Sequence, residues 1–99
     1  MAQKTVEFHE EASRESLAAF EWYLDRSELA AAEFAKELGR AVERIASAPQ
    51  RWPEHSSGVR KFILHRFPFV VFYREHAAKI QVLAVAHARR RPGYWKGRT

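Results

Sequence analysis

The chain has no cysteine among its 99 residues. Disulfides and thiolate-bound metal ions are therefore excluded, and the composition is compatible with a reducing cytosol. No stretch approaches the roughly 20 consecutive apolar residues that a membrane-spanning helix needs. The opening residues, Met1 to Thr5, do not form the apolar run of a secretory signal. We therefore expect a cytoplasmic protein.

Several motifs that mark common enzyme classes are also missing from the sequence. It has no glycine-rich phosphate loop, no His/Asp/Glu spacing typical of a metal site and no Ser/His/Asp set. Nucleotide hydrolysis, metal-dependent catalysis and acyl transfer therefore have little support. We expect neither a cofactor nor a metal ion.

Positive charge is what the sequence has in excess. It carries 17 Lys and Arg against 12 Asp and Glu, a formal net charge of +5. Such a charge attracts a polyanion, which can be a nucleic acid, a ribonucleoprotein or an acidic protein. Most acidic residues lie in the first half, whereas basic residues dominate from Arg60 to Arg98. The positive surface therefore belongs to the C-terminal half.

Helical spacing of apolar residues predicts two consecutive helices that form a hairpin. In the first, over residues 10–26, Leu17, Phe20 and Leu24 form an apolar stripe. Ser27 is expected to be the N-cap of the second helix, which ends at Ala48-Pro49. The stripe of this second helix consists of Phe34, Leu38, Ala41, Val42 and Ile45.

Strand patterns flank the helices. Thr5 to His9 predicts a short strand, and residues 50–58 predict a loop. Three successive antiparallel strands are then expected over Val59–Phe67, Phe69–Arg74 and Lys79–His87. The prediction is an α+β fold in one domain spanning residues 1–99, with an N-terminal strand, a helical hairpin and a three-stranded antiparallel sheet.

The last two strands are apolar on both faces. In the final strand, simple alternation places Ile80, Val82, Ala84 and Ala86 on one face and Leu83, Val85 and His87 on the other. The helical hairpin can cover only one face, so the second needs the C-terminal tail or another chain. We therefore expect a binding partner.

The tail after the last strand has the densest group of functional side chains. His87 ends the strand, Arg89, Arg90 and Arg91 follow, and an aromatic pair ends at Trp95. Arginine binds phosphate bidentately, aromatic rings stack on unpaired bases, and a histidine can move a proton from a ribose hydroxyl. Alternatively, the arginines pair with an acidic partner, Trp95 packs on the sheet and His87 is a structural residue.

Three basic residues on the neighbouring strands could extend this positive surface. Arg60 and Arg66 are expected to share one face, with Lys61 on the opposite face. They are equally compatible with solvated charges at the edge of a sheet. Together with Arg90, Arg91 and Trp95, they are the candidate residues for binding a nucleic acid or another target.

Five segments together resemble the RelE/ParE toxin superfamily over nearly the whole chain. They are VEFHEEA, EWY, ERIASAPQRWP, GVRKFILHRFPFVVFYR and VLAVAHARRRPGYW. The last two look specific for the branch called plasmid stabilization or ParE-like proteins. The resemblance implies the same strand, helical hairpin and three-stranded sheet. It also implies a cognate antitoxin whose disordered or helical segment wraps around the toxin.

The superfamily implies two alternative activities. RelE-like members are ribosome-dependent, metal-independent endoribonucleases that cut mRNA, whereas ParE-like members inhibit DNA gyrase. Matched to the RelE pattern, Lys61 is the basic strand residue, His87 or Arg89 the basic residue after the last strand, and Tyr94 the C-terminal tyrosine. The resemblance thus makes His87, Arg89 and Tyr94 the candidate catalytic residues.

Two positions depart from the RelE pattern. Val70 stands where that pattern has an arginine, and Ile63 replaces a lysine. These departures favour a growth-inhibiting toxin that acts by binding a target such as DNA gyrase. The alternative is an mRNA endoribonuclease that uses His87, Arg89 to Arg91 and Tyr94.

Overall fold

The computed structural model describes residues 3–91 and 93–98, so Pro92 of the tail motif lies outside the described residues. None of its helices is long and apolar enough to cross a membrane. The elements in chain order are β1 (Thr5–Phe8), α1 (Glu10–Leu24), α2 (Glu28–Ser47), β2 (Glu54–Ser56), β3 (Val59–Ile63), β4 (Phe69–Glu75) and β5 (Lys79–His87).

The second helix follows the sequence prediction closely. The hydroxyl of Ser27 accepts the N–H of Ala30 at 3.1 Å, which confirms the predicted N-cap. Phe34, Ala41 and Ile45 of the predicted stripe are buried in the core. Because these residues recur at helical spacing, one face of α2 packs on the sheet.

The predicted stripe of α1 is confirmed only for Phe20, which packs against the core. Leu17 and Leu24 are 56% and 44% exposed, whereas Ala12 and Ala19 are buried. Small side chains on the buried face allow the helix to lie close to the sheet. Tyr23 lies on the same side and its ring packs 5.4 Å from that of Phe34 and 5.0 Å from that of Phe67.

The sheet has five strands in the order β1-β5-β4-β3-β2. The three predicted antiparallel strands are present as β3, β4 and β5, but the predicted sheet was incomplete. β1 joins it as a parallel neighbour of β5. β2 lies in the predicted loop, because a three-residue strand is too short to show an apolar alternation. The strand predicted over Val59–Phe67 is shorter than expected and ends at Ile63. Beyond it, the N–H of Leu64 bonds to the carbonyl of Phe69 in a turn.

A β-bulge in β5 overturns the predicted faces of that strand. Phe72 lies opposite Ala84, but the next residue, Tyr73, lies opposite Val82, so Leu83 has no partner of its own. The extra residue shifts the alternation by one position. Ile80, Val82 and Val85 therefore pack on the helix side, whereas Leu83, Ala84 and Ala86 belong to the cluster on the opposite face.

The C-terminal tail covers part of this opposite face. Trp95 is 2% exposed, and its ring centroid lies 4.7 Å from that of Phe72. The sequence predicted that the C-terminal tail or another chain covers this face, and the structure shows that the tail covers part of it. The large apolar side chains that stay exposed are mostly on the helical hairpin: Leu17, Trp22, Leu24 and Leu29, with Ile63 on the sheet.

Candidate functional site

Backbone turns fold the tail back across the end of β5. The N–H of Arg90 bonds to the carbonyl of His87, and that of Arg98 bonds to the carbonyl of Trp95. Gly93 has a φ of +79°, and a side chain there would meet Lys96. The tail therefore returns toward α1 instead of extending into solvent.

The carboxylate of Glu15, on α1, holds the tail in this position. It accepts the hydroxyl of Tyr94 at 2.7 Å and two guanidinium N–H groups of Arg98 at 2.9 and 3.0 Å. It also accepts the backbone N–H of Val85 at 2.9 Å, and Arg98 donates to the carbonyl of Leu83. These side chains therefore cap the edge of β5 beyond its pairing with β1.

Tyr94 is a hydrogen-bond donor in this arrangement. Burial raises its pKa well above the usual range, and the hydrogen bond to Glu15 raises the pKa further. The guanidinium carbons of Arg90 and Arg98 lie 4.0 and 5.0 Å from the centroid of its ring. Its hydroxyl is consequently used in a hydrogen bond within the protein.

His87 and the arginines of the tail are in a different environment. The side chain of His87 is exposed at the end of β5, and its Nδ1 accepts the backbone N–H of Arg89 at 3.1 Å. Its ring packs edge-on against Phe69, with centroids 5.3 Å apart. Arg89, Arg90 and Arg91 are exposed. The end of β5 thus presents a cationic surface next to an accessible imidazole.

Of the three basic residues predicted to extend the positive surface of the tail, only Lys61 lies near it. Arg60 donates to the carbonyl of Trp52 at 2.7 Å. Arg66 pairs with Glu33 on α2. Both are used in contacts on the helix side of the sheet. Lys61 is half-buried on the opposite face, and it alone of the three shares a cavity with Arg90 and Arg91.

A largely apolar cavity of about 440 Å³ lies between α1 and the tail. Trp22, Tyr23 and Phe69 contribute to its wall, and His87 and Arg90 lie at its border with the tail. Trp22 is 53% exposed, and the guanidinium of Arg26 stacks 3.6 Å from its ring centroid. A cavity of this size and lining can take an apolar side chain of a partner.

Sequence reasoning missed Glu15. It lies one turn before Ala19 and shares the buried side of α1, so the correct buried stripe would have shown a carboxylate facing the sheet. The stripe assigned from Leu17 and Leu24 placed it on the solvent side instead. Within residues 3–91 and 93–98, no group of three or more His, Asp or Glu side chains is placed to hold a metal ion.

Comparisons with known proteins agree on one family. A family model described as the ParE toxin of a type II toxin–antitoxin system, parDE, matches residues 6–92. No curated protein matches the sequence. Among solved structures, the fold is similar to a chain of the chromosomal ParDE toxin–antitoxin system from P. aeruginosa, with a TM-score of 0.76 and 19% sequence identity over 88% of this chain and 98% of that chain. At this identity the likeness concerns the fold.

Proposed function

The chain belongs to the family of ParE toxins of type II toxin–antitoxin systems, and we propose that it inhibits growth by binding a protein target such as DNA gyrase. An antitoxin encoded beside it neutralises the toxin by covering its exposed surfaces. The hydrogen bond from Tyr94 to Glu15 is the observation that favours binding of a target over RNA cleavage.

A nuclease without a metal needs side chains that accept and donate protons at the scissile phosphate. Tyr94 is the candidate for one of these roles, but its hydroxyl donates to Glu15 and its raised pKa keeps it protonated. His87 lines the same cavity as Glu15 and Tyr94, and its Nδ1 accepts the backbone N–H of Arg89. Two of the candidate catalytic groups, the hydroxyl of Tyr94 and the Nδ1 of His87, are therefore already used in hydrogen bonds within the protein.

The surface at the end of β5 suits binding. Arg90 lines the apolar cavity that Trp22 also lines, and its neighbours in the chain, Arg89 and Arg91, are exposed. Arginine and tryptophan are the residues most often responsible for affinity at protein interfaces. The net charge of +5 attracts an acidic partner over a longer range.

The exposed apolar residues support an antitoxin partner. Leu17, Trp22, Leu24 and Leu29 remain accessible on the helical hairpin. Large apolar side chains exposed together typically mark a protein-binding surface. The solved structure of similar fold belongs to the chromosomal ParDE toxin–antitoxin system from P. aeruginosa.

One observation supports the second candidate function, a ribosome-dependent endoribonuclease. The imidazole of His87 is exposed immediately before the three arginines of the tail. A histidine beside phosphate-binding cations is the minimum that proton transfer to RNA requires. Cleavage by this route would not need Tyr94.

Expression of the chain in bacterial cells, with and without the adjacent reading frame, tests the proposal. We expect growth arrest that the adjacent frame relieves, and translated messages that stay intact by primer extension. A His87→Ala, Tyr94→Phe variant should still arrest growth, because neither group takes part in chemistry. Ribosome-dependent cuts that disappear in this variant would establish the nuclease instead.

A further inference from the structure

A second, smaller cavity of about 150 Å³ lies on the face of the sheet opposite the helices. Lys61 of β3, His87 of β5 and the tail residues Arg90 and Arg91 line it, and His55 of β2 lies at its edge. In the stretches that the structure describes, no acidic residue lines this cavity. A site that gathers so many cationic or protonatable groups favours an anion.

The floor of the cavity is apolar. Val70, Phe72 and Ala86 form it, and Ile63 beside them is 60% exposed. Trp95 also lines the cavity and is 2% exposed, and its indole N–H has no hydrogen-bond partner among the described residues. The indole of Trp95 is therefore a buried reporter in the wall of the cavity.

The floor favours a protein segment over a nucleic acid. Recognition of unpaired bases relies on accessible aromatic faces. Here Phe72 and Trp95 are both buried and their rings pack on each other at 4.7 Å, so neither offers a free face. Tyr94 also lines the cavity, but the guanidinium carbon of Arg90 lies 4.0 Å from the centroid of its ring. The large apolar side chain that is exposed next to the cationic groups is Ile63.

We propose that this cavity receives the carboxylate of an aspartate or glutamate from a partner protein, in an extended segment whose neighbouring apolar side chain covers Ile63. Lys61 and Arg91 contribute the charge, and the buried ring of Trp95 forms part of the wall. The inference rests on the proposed function in one respect, because it assigns this acidic segment to the antitoxin.

The indole N–H of Trp95 gives a direct readout by NMR. Two blocked pentapeptides serve as probes, Leu-Asp-Leu-Glu-Leu and its amide counterpart Leu-Asn-Leu-Gln-Leu, titrated to millimolar concentration into the full chain. A Trp95→Phe variant assigns the indole signal among the three tryptophans. We expect the acidic peptide to shift this signal saturably and to bind about tenfold more tightly than the amide peptide, since charge-assisted hydrogen bonds are lost in the latter.

Charge-reversed variants locate the site. Lys61→Glu combined with Arg91→Glu should abolish the shift. Lys36→Glu combined with Arg40→Glu, two reversals at exposed positions of α2, is the control for the change in net charge and should retain the shift. Addition of salt should weaken binding of the acidic peptide more than that of the amide peptide.

Three results would overturn the inference. They are the absence of a saturable shift, an equal shift with both peptides, and a shift of Trp95 caused by a short single-stranded RNA but not by the acidic peptide. The proposed function fails separately, when the wild-type chain neither arrests growth nor binds the product of the adjacent reading frame. The peptide titration needs neither of those properties, so the two failures are distinguishable.

Discussion

At the scale of residues, Glu15 is the side chain on which the position of the tail depends. Its carboxylate pairs with Arg98, and both side chains are largely buried, at 17% and 15% exposure. Glu15→Ala leaves the guanidinium and the N–H of Val85 without their acceptor, so we expect a loss of about 3 to 5 kcal/mol in the free energy of unfolding, measured in urea. Glu10→Ala, on the exposed side of the same helix, should change it by no more than about 0.5 kcal/mol.

Tyr73 predicts how stability depends on alkaline pH. Burial raises its pKa from 10.0 to about 12, and its hydroxyl donates to the carbonyl of Pro49 at 2.6 Å. The folded state therefore favours the neutral phenol, and the stability this gives is complete below pH 10 and is lost as the pH rises toward about 12.

Thermal unfolding of the wild-type protein and of Tyr73→Phe, from neutral pH to about pH 12, measures the contribution of the Tyr73 hydroxyl to stability. At neutral pH the variant should be less stable by about 1 kcal/mol, because the hydrogen bond to Pro49 is lost. The gap between the two proteins should narrow above pH 10. A gap that stays constant with pH would show that Tyr73 does not titrate in this range.

At the scale of elements, the turn between β2 and β3 depends on a glycine. Ser57 and Gly58 have φ values of 44° and +80°, the left-handed pair of a tight two-residue hairpin turn. Gly58→Ala should destabilise the protein by about 1 to 2 kcal/mol, because a Cβ is unfavourable at this φ. Gly39→Ala is the matched control, since nothing lies within 4 Å of its added Cβ in the middle of α2.

The control should stabilise the protein by about 0.5 to 1 kcal/mol, because alanine is the better helix former. Denaturant midpoints of the two variants against wild type measure both changes. If Gly58→Ala does not lower the midpoint, the turn does not have the assigned geometry.

Elements with a strong repeating pattern could be predicted from the sequence, whereas those set by tertiary contacts could not. Both helices, the cap at Ser27 and the strand Lys79–His87 follow from local spacing. The bulge at Leu83 could not be predicted, because it depends on the register between β4 and β5. The buried face of α1 was misassigned because alanines give little apolar signal in a helical stripe that also contains leucines.

The candidate site could be predicted only in part, for the same physical reason. The tail segment was located, and the exposure of Arg89 and Arg91 agrees with a surface role. The alternation along the strand predicted Arg60 and Arg66 on the face opposite Lys61, but not their contacts with Trp52 and with Glu33 of α2. Likewise, the bond between Tyr94 and Glu15 joins residues 79 positions apart.

At the scale of the whole molecule, the helical hairpin packs on one face of the sheet, and the tail covers part of the other face. Such a molecule has two kinds of surface for partners, one apolar on the helices and one basic at the end of β5. We expect Arg89→Glu combined with Arg91→Glu to weaken target binding by about tenfold or more, because both reversed charges are exposed on the binding surface. Lys36→Glu, with its charge reversed on α2, should have little effect on the same binding measurement.

Supercoiling of relaxed plasmid by purified DNA gyrase, with increasing amounts of the purified chain, tests the central claim most directly. A toxin that acts by binding should inhibit supercoiling in a concentration-dependent manner, and Arg89→Glu combined with Arg91→Glu should need a higher concentration for the same inhibition. Undiminished supercoiling, together with cleavage of mRNA on purified translating ribosomes, would contradict it.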